Sequence, residues 1–352
     1  MNRIEAVRKL LSENEAALIF TPVSRLYLSG FHSSLGYLFI TKGEAVLFVD
    51  GRYIEAAKKG ANENVEVRLF TNISEQAKEF LGDKIDTLVV ETIIAVANVT
   101  TFEKQFGKKI LPNSEFDKEL YSLRSVKTEY EIECITKAQR MAEKAFLEVL
   151  NFIREGVTEI QIAAELEYRM KLAGSKAPSF GTIVVSGEKS SMPHGVPDDK
   201  VVRAGDFITM DFGAIYNGYH SDMTRTVAVG YATDEMQKVY NTVLNANLSA
   251  FDAVREGAFI KDVDLAARNV IKQAGYGEFF THSTGHGVGL ENHETPTVSY
   301  KNENKLLSNQ VITIEPGIYL EGKFGVRIED MAVVTKNGCN NLTKAEKSLI
   351  II

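Results

Sequence analysis

Residues 211–226 read DFGAIYNGYHSDMTRT, and the apolar run FITM precedes them at 207–210. Asn217-Gly218 is the dipeptide best suited to the two positive-φ positions of a tight hairpin turn. An apolar strand is predicted over 207–212 on one side of that turn, and strand formers resume at 226–230 on the other. Folding back at the turn carries Asp211 and Asp222 onto neighbouring strands, within reach of one ion. Buried, unpaired carboxylates are expensive, so acids inside apolar strands call for cations.

Two further acids lie in similar settings. Glu315 closes the run VITIE (311–315) ahead of Pro316-Gly317, and Glu329 lies in VRIEDMAVV (326–334). Five of the six histidines fall between His194 and His293, and three of them share HSTGHGVGLENHE (282–294). Gly285, Gly287 and Gly289 make a helix poor there and suit a strand or loop that other backbone or a ligand approaches closely. Close approach of substrate is the preferred reading. The arrangement is therefore not a helical His-Glu-x-x-His zinc site. The nearby cations are Arg225 and Arg327, and the plain alternative for Asp211 is a buried acid paired with Arg225. Asp211, Asp222, Glu315 and Glu329 carry four negative charges, which two divalent ions balance, and His286 adds a neutral nitrogen. Oxygen-rich ligation with one imidazole suits Mn²⁺, Co²⁺ or Zn²⁺, with manganese preferred. Two such ions about 3.5–4 Å apart hold a bridging hydroxide and polarise a carbonyl.

The rest of the chain sets the frame. At 352 residues two domains are expected. Short apolar runs predict strands at 16–21, 45–50 and 87–91, with helical spacing over 52–59 and 73–80, so the N-terminal part reads as α/β. Residues 115–150 form a long amphipathic stretch of one or two helices. Thr158 is a helix N-cap paired with Gln161 in a capping box. From 180 onward strands are predicted at 182–186, 207–212, 226–230, 311–314 and 331–335, with helices near 233–255 and 261–274. That pattern reads as α+β. The division is set at 1–122 and 123–352. The net charge of −7 has no concentrated basic face, which argues against a nucleic-acid partner. No apolar run approaches the ~20 residues that span a bilayer, and the N-terminus has no apolar signal core, so no membrane is expected and a cytoplasmic location is. Cys134 and Cys339 are isolated and carry no nucleophile motif.

The segments DFGAIYNGYHSDMTRT, HSTGHGVGLENHE, IEPGIY (314–319) and RIED (327–330), in this order, resemble the metallopeptidase family with the pita-bread fold. That family includes methionine aminopeptidase, aminopeptidase P and prolidase. YLSGF (27–31), VDGRY (49–53) and LRSVKTEYEIECITKA (123–138) resemble its creatinase-type N-terminal domain, which methionine aminopeptidases lack. The resemblance covers nearly the whole chain and implies a peptidase for the bond before proline.

It also implies roles. Asp211 binds one ion, Asp222 and Glu329 bridge two ions, and His286 and Glu315 bind the second, Glu315 also relaying a proton. His194 and His293 act at the scissile bond. His282 and Arg327 sit close to the ions and substrate, and Thr224 bonds a ligand carboxylate. Phe180 is a candidate wall of a proline pocket. His220 and His32 read as structural. The implied partners are small peptides with proline in the second position, and a second copy of the chain as a homodimer. Many prolidases of this family place an arginine after the proline of His-Glu-x-Pro. Here His293-Glu294-Thr295-Pro296 is followed by Thr297. Dipeptidase action and action on longer peptides both stay open, with the dipeptidase preferred. A metal-free binding protein of the same fold is the third alternative, and the five intact ligands argue against it.

Overall fold

A computed structural model describes residues 2–352, and the chain folds as two compact units, Met1–Arg124 and Ser125–Ile352. The first is built on a six-stranded mixed sheet in the order Glu66–Leu69, Ala45–Val49, Tyr37–Ile40, Glu15–Ile19, Thr87–Val90, Lys109–Pro112. The apolar runs at 16–21, 45–50 and 87–91 supply three of these strands. The two edge strands were not legible. Glu66–Leu69 and Lys109–Pro112 are largely exposed and mix charge with apolar residues, so they lack the apolar run that marks a covered strand. Pro112 ends an edge strand, where its missing N–H costs no ladder bond.

The second unit holds the predicted site. Its first layer is a three-stranded antiparallel sheet in the order Met223–Ala228, Phe207–Phe212, Ile183–Ser186. Two helices cover one face. Glu129–Val149 and Glu159–Leu172 each begin at a complete capping box, Thr128 with Glu131 and Thr158 with Gln161, which satisfies the first free N–H groups of each helix. Strand alternation sorts the residues. Ile208, Met210 and Phe212 join Phe146, Val149 and Leu166 in one core, each of these large apolar side chains contributing roughly 1.5–3 kcal/mol. Thr209 and Asp211 therefore face the other way.

The second layer repeats the plan. A five-stranded sheet runs Glu294–Val298, Gly285–Gly287, Val311–Ile314, Asp330–Thr335, Gly338–Asn341, and Gly317–Leu320 pairs with Phe324–Arg327 as a ribbon. Helices Asp234–Ala253 and Ile260–Gln273 cover it. Ile312, Ile314, Val326 and Ile328 pack with Val239, Val243, Val263 and Ile271. The intervening Thr313, Glu315, Arg327 and Glu329 take the opposite face. Among the described residues no helix is long and apolar enough to cross a membrane.

The hairpin at 211–222 is more elaborate than its sequence implied. Asn217 (φ 50°) and Gly218 (φ 86°) make the turn, with Ile215–Tyr216 paired to Tyr219–His220 at its tip. The main pairing resumes with Phe212 opposite Met223 and Asp211 opposite Thr224. The returning strand thus begins three residues earlier than the apolar run at 226–230, because Met223 packs in the core while Thr224 and Arg225 are held by polar partners from distant segments.

Candidate metal centre

Asp211 is the penultimate residue of the strand Phe207–Phe212, and Asp222 lies one residue before Met223–Ala228. Since Thr224 opposes Asp211, Asp222 is the diagonal neighbour of Asp211 on the same face. Glu329 follows Arg327 by two residues and so shares its face. The backbone N–H of Glu329 donates to Thr224 O at 3.2 Å, and its Oε2 accepts from Thr224 Oγ1 at 2.7 Å. Asp222, His286 and Glu329 each bring one ligand atom within 4.8 Å of the others, from three separate segments. Glu315 joins them, its Oε1 lying 3.4 Å from His286 Nε2. Asp211 is tied in through Arg327, whose Nη2 donates to Asp211 Oδ2 at 2.7 Å. Three of the five candidate ligands thus form one cluster, with Glu315 against it and Asp211 joined to its surroundings by Arg327.

The tautomer of His286 follows from its neighbours. Its Nδ1 lies 3.0 Å from Gly287 O, and a carbonyl can only accept, so Nδ1 carries the proton. The Nε2 lone pair then faces Asp222 Oδ2 at 3.6 Å and Glu315 Oε1 at 3.4 Å. Burial, with His293 alongside, lowers the imidazole to about 4, so it is neutral at physiological pH. Three lone-pair donors therefore point at one another.

The carboxylates show the same imbalance. Asp211 Oδ1 and Asp222 Oδ1 are buried without a hydrogen-bond partner. Burial, then the surrounding acids, pushes Asp222 and Glu329 well above the usual carboxylate range. Burial also lifts Glu315 to about 8, against the pull of Arg327. Orphaned oxygens, converging lone pairs and a neutral imidazole are what a hard or borderline divalent cation satisfies. The residues fit such ions.

Arg327 organises the surroundings. Its Nε donates to Thr224 Oγ1 at 3.1 Å, and Nη1 donates to Tyr319 Oη at 3.0 Å and to Pro193 O at 3.3 Å. Tyr319 in turn lies 2.9 Å from His282 Nε2, while His282 Nδ1 lies 2.8 Å from Ser283 O. Nδ1 therefore donates to the carbonyl, and the Tyr319 hydroxyl donates to Nε2. Both ring nitrogens of His282 are engaged inside the protein, and burial lowers it to about 4. Tyr319 was not singled out from the sequence. The signal was its place in IEPGIY, four residues after a ligand, on a strand with the site's parity.

The remaining histidines separate. His293 is exposed, its ring perpendicular to that of His286 with centroids 4.1 Å apart. His194 is exposed in the turn after Pro193 and close enough to His282 for their charges to interact. His220 is bonded through Nδ1 to Ser179 Oγ at 2.8 Å. His32 lies in the other unit and is exposed. Phe180 is half-buried.

The plain alternative for Asp211, a pair with Arg225, fails, and the reading of the glycines is corrected. Arg225 does not pair with Asp211; it pairs with Asp330 at 2.7 Å, and Arg327 takes Asp211. Both arginines are buried, and the register of the strands decides which acid each meets. The glycines of 285–289 serve packing. A Cβ on Gly285 would run into Thr313 O, on Gly287 into Thr295 O, and on Gly289 into the Glu294 carboxylate.

Residues 133–336 match the model of metallopeptidase family M24, and residues 3–126 match the creatinase/prolidase N-terminal domain. The chain belongs to metallopeptidase family M24. It is therefore a metallopeptidase dependent on divalent metal, with a creatinase-type N-terminal domain and a pita-bread catalytic domain. It is 40% identical over 353 residues to the Xaa-Pro dipeptidase of Pyrococcus furiosus, covering 99% of each chain. The structure of an Xaa-Pro dipeptidase from Bacillus anthracis matches with a TM-score of 0.93 at 38% identity, covering 99% of both chains. That of an X-Pro aminopeptidase from Thermotoga maritima matches with a TM-score of 0.92 at 40% identity, covering 98% of this chain and 99% of that one.

Proposed function

We propose that this M24 peptidase hydrolyses the Xaa-Pro bond at the N-terminus of dipeptides or short peptides, using two divalent ions, manganese preferred. The observation that carries the reading is the unbalanced cluster itself. Asp222, His286 and Glu329 bring ligand atoms within 4.8 Å of one another, Glu315 lies against His286, the charge of Asp211 acts on Asp222, and two buried oxygens are unpartnered. In this reading Asp211, Asp222, His286, Glu315 and Glu329 hold the metal. Bound divalent ions would lower the pKa of a water and polarise the scissile carbonyl.

The side chains account for the rest of the chemistry. Arg327 fixes one Asp211 oxygen and leaves the other for metal. Thr224 does the same for Glu329. The leaving proline nitrogen needs a proton, and in this reading Glu315 passes one on. His293 and His194, both exposed, are the donors offered to the substrate carbonyl and its developing negative charge. The identity with the Pyrococcus dipeptidase supports the substrate class.

One observation favours longer peptides as a second reading. A dipeptide's free carboxylate invites a cationic partner, and Arg327 already makes four hydrogen bonds to protein acceptors. The X-Pro aminopeptidase among the similar structures fits that reading. Product analysis with Ala-Pro, Ala-Pro-Ala and longer Xaa-Pro peptides, under Mn²⁺, Co²⁺ and Zn²⁺ in turn, tests both. Release of the first residue only when proline follows is expected. Cleavage indifferent to proline, or turnover undiminished by a chelator, would reject the proposal.

A further inference from the structure

Glu294 directly follows His293 and is 167 residues from its ion-pair partner. Lys127 Nζ meets Glu294 Oε2 at 2.7 Å, with the two side chains only 1% and 6% exposed. The other carboxylate oxygen accepts the backbone N–H of Leu290 at 2.9 Å and of Glu291 at 3.2 Å. The carboxylate fills the space that a side chain at position 289 would occupy. Lys127 is itself anchored, its backbone N–H donating to Asn309 O at 2.9 Å. The short loop that carries His293 is thus gathered around one buried carboxylate and staked by one buried ammonium.

A buried ion pair is a poor device for stability, because well-packed apolar residues of similar volume usually do as well. It is a good device for geometry. Removing the Lys127 ammonium strands the carboxylate that holds two backbone N–H groups of the loop, next to an exposed histidine whose ring is perpendicular to that of a candidate ligand.

We propose that Lys127 and Glu294 are positioning residues, which hold the 289–294 loop so that His293 presents its ring to the substrate carbonyl. The inference rests on the role given to His293 above. Their side-chain bonds run to each other and to the backbone of the loop, so they act through His293.

The test is steady-state hydrolysis of Ala-Pro and Ala-Pro-Ala by the manganese-loaded full chain, with Lys127→Met, Glu294→Gln, His293→Ala and the double variant Lys127→Met/His293→Ala. Lys127→Met is expected to lower kcat 10- to 100-fold with KM changed less than threefold. The same substitution in the His293→Ala background is expected to cost less than threefold, because its effect runs through a side chain already gone. Lys127→Arg should recover most of kcat. Manganese stoichiometry should stay at the wild-type value throughout. A charge stranded by a single substitution can unfold the chain, so Lys127→Met/Glu294→Gln, which removes both charges, is measured alongside. It should fold and remain slow.

Equal fold losses from Lys127→Met with and without His293 would overturn the positioning role. So would wild-type kcat in the folded double-neutral variant. Wild-type turnover in His293→Ala is a different failure: it would remove the role of His293 itself.

Discussion

A carboxylate beside three others in a protein interior is a liability unless something positive joins it. Asp222 is the sharpest case, buried, with one oxygen unpartnered and the other facing a lone pair of His286. Asp222→Asn should therefore cut hydrolysis by on the order of 10⁴-fold, the scale of losing an essential group. In the presence of a chelator it should raise thermal stability by a few degrees, about 2–4 °C for each kcal/mol of relieved repulsion. It should also abolish any rise in melting temperature on adding Mn²⁺. A chelated variant less stable than the chelated parent would show that the cluster is not strained by its charge. The same imbalance sets a pH dependence for the metal-free chain. Glu315, raised from 4.5 to about 8 by burial, binds its proton more tightly folded than unfolded. Its contribution to stability is present in full below about pH 4.5 and is lost as pH rises through about 8. His282 and His286, lowered to about 4, are neutral in both states above pH 7 and do not oppose it there. Urea midpoints of chelated protein should fall from pH 7 to pH 9, and saturating Mn²⁺ should remove the slope. A flat midpoint without metal would contradict the raised pKa.

Between residues and the whole stand the strands that deliver these groups. Period-two alternation places core and site residues on opposite faces of Phe207–Phe212 and Val311–Ile314, so the apolar pattern that builds each core also aims the acids. The narrow strand Gly285–Gly287 lets backbone from two neighbours close on His286. Gly287→Ala should destabilise by about 1–3 kcal/mol, the usual cost of overpacking, and weaken manganese binding as His286 is displaced. Gly181→Ala is the control, since a Cβ there meets nothing within 4 Å and its φ is not in the left-handed region. Denaturation midpoints for the pair check the claim, and similar values for both would refute it. The alternation, the Asn217-Gly218 turn and the Thr158–Gln161 capping box were legible because each is a local rule. The early start of the strand Met223–Ala228 was not. Its polar residues are buried by bonds to segments a hundred positions away, as when Arg225 bonds Asp330 and Thr224 bonds Glu329.

At the scale of the molecule, the centre exists only where two sheets, each backed by its own pair of helices, bring their polar faces together. Neither layer alone holds all five groups. Elemental analysis of protein loaded with Mn²⁺ and desalted should give two ions per chain, and Asp211→Asn should reduce that number. A stoichiometry of one in the parent would leave the charge balance of the four acids unexplained. The sequence by itself determined the elements around the site, the five candidate ligands and the class of chemistry, because hydrophobic period, turn residues and residue type are local properties. The tertiary structure alone decided which arginine holds Asp211, that Tyr319 fixes His282, and that Lys127 reaches across 167 positions to Glu294. Those pairings depend on the register and packing of distant strands, and nothing in the spacing along a chain records which of two buried cations will meet a given acid.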